Sequence, residues 1–145
     1  MIPAELVGLW DSGPYDYGAM ESSSVALLAD GSGWSTWANS GGVMSVRRFT
    51  WSCPAPGMLR LAYTTEITGP WEPGGLVLAA VDEQEPDDTV VLTAYTIGSD
   101  VTPLAAEPFT ALRLAEPVEY VRAYALLRRD VTDADDPARS VVDRA

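Results

Sequence analysis

Eight short stretches of this chain alternate apolar and polar residues with a period of two, and turn-forming clusters separate them. They cover residues 6–11, 23–29, 34–39, 44–52, 58–65, 76–84, 89–98 and 108–114. Asp30-Gly31-Ser32-Gly33 is the strongest turn signal, because its glycines take positive φ at no steric cost. Cys53-Pro54-Ala55-Pro56-Gly57 is another, since neither proline can donate to a ladder. Sequential strands without a long helix between them predict an antiparallel meander, and closing it into a barrel removes exposed edges. The expected fold is all-β: one domain over residues 1–129, an antiparallel up-and-down eight-stranded barrel.

The C-terminal stretch reads differently. Glu119, Arg122 and Arg129 recur at spacings of three and seven, Val118, Val121, Tyr124 and Ala125 fall mostly opposite, and Pro117 suits a first helical turn. The pattern predicts a short helix over 117–129, with a ninth strand as the alternative. Residues 130–145 carry Asp133, Asp135 and Asp136 with few large apolar groups, which reads as an acidic, disordered tail.

Composition excludes more than it suggests. The chain has no histidine and no lysine, and all nine basic residues are arginine. Imidazole triads, imidazole metal ligands, Schiff bases and a phosphate-loop lysine are therefore ruled out, and no cofactor or metal is expected. Any catalysis must come from Asp, Glu, Tyr, Arg or the single Cys53, which reads as a half-buried turn residue in a reducing compartment. A net charge of −12 repels phosphate backbones and anionic membranes, so neither nucleic acid nor membrane is an expected partner, while a basic protein stays open. No apolar run is long enough to span a bilayer, and the N-terminus lacks signal-peptide character, so a cytoplasmic location is expected. The Ala, Asp, Gly and Arg bias points to a high-GC bacterial genome.

Gly8-Leu9-Trp10-Asp11-Ser12, the turn at 30–33 and Phe49-Thr50-Trp51 together resemble the opening of the calycin group, the lipocalin-like small β-barrels. The likeness covers the first half of the chain. It implies a barrel whose hollow holds one small apolar molecule. It also implies a structural Trp10 that plugs the closed end beside an arginine, for which Arg113 and Arg128 are the candidates.

Loop lengths predict which end of such a barrel is open. Short turns at 30–33, 53–57 and 85–88 would close one end, and long loops at 12–22, 66–75 and 98–107 would gather at the other. Strand parity puts Phe49, Trp51 and Leu61 on an inward face, with Trp37, Arg47, Tyr63 and Tyr95 near the mouth. The long loops add Tyr15 and Tyr17, as a lid or a rim turn, and Trp71, as a cap or an outer packing residue. Aromatic walls with a few polar groups suit a small-molecule site. Arg47, if inward, would hold a carboxylate or enolate; if a bulge slips the register, it faces solvent beside Arg48. Glu21, Glu66 and Glu72 are candidate bases or solvated rim charges.

Three functions fit. The first is a non-catalytic carrier or sensor of a small apolar or aromatic molecule. The second, implied by the resemblance, is a lipocalin-like cyclase of bacterial natural-product biosynthesis that shapes its substrate, with Arg47, Tyr63 or Tyr95 polarising a carbonyl. The third is an acidic interaction or immunity-type protein acting by its surface.

Overall fold

The computed structural model describes residues 2–15, 20–72 and 77–142. Among these residues nine strands follow one another: β1 (Gly8–Asp11), β2 (Glu21–Leu27), β3 (Ser32–Asn39), β4 (Val43–Ser52), β5 (Met58–Pro70), β6 (Glu83–Pro86), β7 (Val90–Asp100), β8 (Phe109–Val118) and β9 (Val121–Arg128). All pairings are antiparallel. Neighbours run β4-β3-β2-β1-β9-β8-β7-β5, and β4 pairs β5 to close an eight-stranded up-and-down barrel. β6 lies outside this ring, on the far half of β5. No helix among the described residues is long and apolar enough to cross a membrane.

The predicted barrel is present, but two of its members differ from expectation. The expected C-terminal helix is strand β9, which pairs both β1 and β8. The register shift against β1 leaves Leu127 as an extra residue and breaks the inside–outside alternation there, so its sequence shows no clean period of two. The expected sixth strand over 76–84 is not part of the ring. Leu78 makes one bridge to Trp71, and pairing resumes only at Glu83, against β5. β5 is longer than predicted, 13 residues, and its far half takes β4 on one side and β6 on the other.

Removing one strand from the ring exchanges the ends for everything after it. The 28–31 and 53–57 turns share their end with the 101–108 loop, while the 119–120 turn lies at the other end with the 40–42 turn and the 71–89 connection. Loop length therefore does not sort the two ends as predicted.

The lower lumen is filled by the chain's own side chains. Trp10, Leu27, Leu61, Leu112 and Tyr124 are each 0% exposed, and Phe49 and Trp51 pack with them. Gly33 makes room for this packing, since a Cβ there would lie 2.6 Å from the Phe49 ring and 2.2 Å from the Ala26 carbonyl oxygen. Trp10 donates its ring N–H to the Leu6 carbonyl at 2.9 Å. The arginine beside it is neither Arg113 nor Arg128 but Arg129, whose guanidinium carbon lies 5.7 Å from the ring centroid. Arg129 also donates to the Glu5 and Val7 carbonyls, tying the end of the ring to its beginning.

A second apolar layer lies outside the barrel. Ala26, Leu28, Trp34, Met44, Val46 and Ile67 point away from the lumen and are buried. What covers them is the segment expected to be a disordered tail. Val131 and Ala138 are buried in this layer, Leu78 donates its N–H to the Pro137 carbonyl, and Arg48 donates from Nε to Asp136 at 2.9 Å. Composition alone suggested disorder because it ignored the apolar outer face that this segment could cover.

Candidate functional site

The residues proposed from sequence do not form one site. Phe49, Trp51 and Leu61 are packing residues of the filled lower lumen. Tyr15 folds onto the outer face of β8, edge-on to Phe109 at 5.6 Å, and its hydroxyl donates to Asp100 at 2.6 Å. Trp71 packs against the outer layer and donates its ring N–H to the Asn39 carbonyl, so it is an outer packing residue and not a cap. Tyr95 faces inward as expected but sits at the opposite end, beside the 53–57 turn, donating to Glu5 at 3.3 Å. Its displacement follows from the exchange of ends. Trp37 is at the mouth, half-buried, with its ring N–H on Glu21 at 3.1 Å. Tyr17 lies outside the described residues.

Arg47 and Tyr63 come together at the mouth. The Arg47 guanidinium stacks 3.7 Å from the Tyr63 ring centroid. Parity on β4 is intact because the bulge falls on the partner strand: Phe49 pairs Tyr63 and Arg48 pairs Thr65, leaving Thr64 as the extra residue. That bulge has a second consequence. It reverses the alternation along β5, so Glu66 pairs directly with Arg47, while Ile67 turns to the outer layer.

Arg47 donates from Nε to Asp87 Oδ2 at 3.0 Å, with its Nη2 also 3.0 Å from that oxygen in an ion pair, and from Nη1 to Glu119 Oε1 at 3.3 Å. Glu66 adds a carboxylate at 3.9 Å. Glu119 Oε2 accepts from Ser35 Oγ at 3.2 Å, and Ser35 also shares a hydrogen bond of 2.9 Å with the Tyr63 hydroxyl. Burial pushes the Glu119 carboxyl above its ordinary range, although Arg47 and Ser35 oppose the shift. Burial would also raise Asp87, but hydrogen bonds from Thr89 and Arg47 outweigh it and hold that carboxyl low. The Tyr63 hydroxyl is pushed up to about 12, chiefly by burial, and stays protonated.

A cleft of about 540 Å³ opens here, lined by Arg47, Glu66, Glu85, Pro86, Asp87, Pro117, Glu119 and Tyr120. It exists because the barrel wall parts. The β7–β8 ladder ends at Tyr95 and Leu114, Pro117 has no N–H to extend it, and Glu116 donates instead to the Thr93 hydroxyl. The lip is the two-residue turn between β8 and β9. Glu119 (φ 51°) and Tyr120 (φ 68°) both occupy the left-handed region, which such a turn normally fills with Asn-Gly. Sequence alone does not reveal Asp87, which lies in the short 85–88 turn, nor Glu119 and Tyr120, because a Glu-Tyr pair carries no turn signal; only the flanking Val118 and Val121 hint at a hairpin. No family model, curated protein or solved structure matches the chain.

Proposed function

We propose that this protein binds a small molecule at the open end of its barrel, in the cleft between β6 and the β8–β9 turn, as a non-catalytic carrier or sensor. One observation carries the reading. The lip of the cleft holds two non-glycine residues in the left-handed region, at a cost of about 1–3 kcal/mol each, and one of them, Tyr120, is 87% exposed. An exposed aromatic ring adds almost nothing to the core, so folding alone gives no reason to keep it under strain. Against the cleft, Tyr120, Pro86 and Pro117 supply apolar surface for an aromatic or aliphatic body. The filled lower lumen favours the mouth over the barrel interior as the binding place. The Trp10–Arg129 pair supports the calycin likeness, and with it a ligand-binding role for the mouth.

The test is an NMR screen of small aromatic fragments on the protein and on Tyr120→Gly. Fragments should shift the amide resonances of Asp87, Glu119 and Tyr120. Tyr120→Gly should gain about 1 kcal/mol of stability by relieving the turn, and should lose most of the fragment binding. Shifts confined to other parts of the chain, or binding that Tyr120→Gly leaves intact, would overturn the proposal.

A further inference from the structure

We infer that the ligand of the mouth cleft is an organic cation, an amine or guanidine on an apolar body; this rests on the cleft being a binding site. Three observations converge. First, the lining sets four carboxylates, Glu66, Glu85, Asp87 and Glu119, against one guanidinium, Arg47. Were Glu119 to carry a proton, three carboxylates would still face that single cation.

Second, Arg47 is already committed. Its Nε and Nη2 point at Asp87, its Nη1 at Glu119, and its face lies on the Tyr63 ring. An incoming carboxylate would have to break these charge-assisted bonds and enter a negative cleft, which costs more than one guanidinium returns. The expectation that Arg47 anchors an anion is therefore reversed: its guanidinium orders the carboxylates and occupies the kind of position a ligand cation would approach. Third, the lip presents an aromatic face. Tyr120 is exposed beside the cleft, where its π-cloud can take a cation leaving water. At long range, the net charge of −12 draws cations and repels anions.

Glu85 is the carboxylate to test. It lines the cleft from β6, is exposed, and its replacement leaves the Arg47 pairs in place. Three probes share one phenyl body and differ only at the end group: 2-phenylethylammonium, 2-phenylethanol and 3-phenylpropionate. At low ionic strength the ammonium should bind on the order of tenfold more tightly than the alcohol, and the carboxylate most weakly. Glu85→Gln should reduce the ammonium's advantage about threefold and leave the alcohol unchanged, and added salt should act in the same direction. If alcohol and ammonium bind equally at Tyr120, or the carboxylate binds best, the cation inference fails while the mouth site stands. If none of the three shifts the cleft resonances, both fail.

Discussion

The Glu119 carboxyl is buried beside a guanidinium that it shares with Asp87, and the two acids respond to that position in opposite directions. For Glu119, burial outweighs its partners, so the folded carboxyl titrates above the unfolded one. Such a group stabilises the fold fully below its unfolded pKa, about 4.3, and that contribution disappears as pH rises through the folded value. Asp87 behaves conversely. Its contribution is present above its unfolded pKa, about 3.9, and is lost as pH falls through the lowered folded value. A carbon-13 titration of the carboxyl carbons should find Glu119 above the ordinary range and Asp87 below it. Arg47→Met should move both midpoints upward, because both lose the same cation. A Glu119 midpoint at or below the ordinary carboxylate range would show that burial does not outweigh the pull of Arg47 and Ser35.

At the scale of elements, the segment after β9 acts as a cover for the outer face of β2, β3 and β4. Its anchor is the Arg48–Asp136 pair, with the Asp136 side chain 0% exposed. Two backbone features hold the anchor in place. Thr132 and Asp135 form a reciprocal cap on the short turn Asp133–Asp135, and Arg48 also donates to the Val142 carbonyl at 2.7 Å. Asp136→Ala leaves a buried guanidinium without its carboxylate and should cost about 3 kcal/mol. For a chain of this size that is a drop of roughly 6–12 °C in the melting temperature. Truncation after Arg129 should cost more, and should expose Trp34 and Val46 enough to bind a hydrophobic dye. A truncated protein that melts with the parent would show that the outer layer needs no cover.

Across the whole molecule, apolar packing and charge oppose each other. The lumen and the outer layer place two apolar clusters on the two faces of one sheet. A net charge of −12 works against that compact state by self-repulsion. Screening should therefore stabilise the fold. Raising NaCl from low ionic strength to about 0.5 M shortens the screening length to a few ångströms and should raise the melting temperature by a few degrees. A fall would mean that the ion pairs around Arg47 and Arg48 lose more to screening than the repulsion does.

Local pattern was enough for the class of fold and much of the inside. Period-two alternation along β4, β5 and β7 put Phe49, Trp51, Leu61, Tyr63 and Tyr95 on the inward face, because a strand's side chains have only two sides to choose from. It also aligned Arg47 with them. What alternation cannot encode is where a strand pairs. The 76–84 run resembles a barrel strand, yet Leu78 joins the outer layer and β6 starts later, and that one difference moved Tyr95 to the other end. The extra residue at Thr64 is equally silent in the sequence, though it turns Glu66 toward Arg47. Asp87, from the β6–β7 connection, and Glu119, from the β8–β9 turn, lie 32 residues apart in the chain, and they meet on one guanidinium only because the barrel closes. Residue order determined the strands and their faces; register and closure, which depend on contacts between distant strands, decided the cleft.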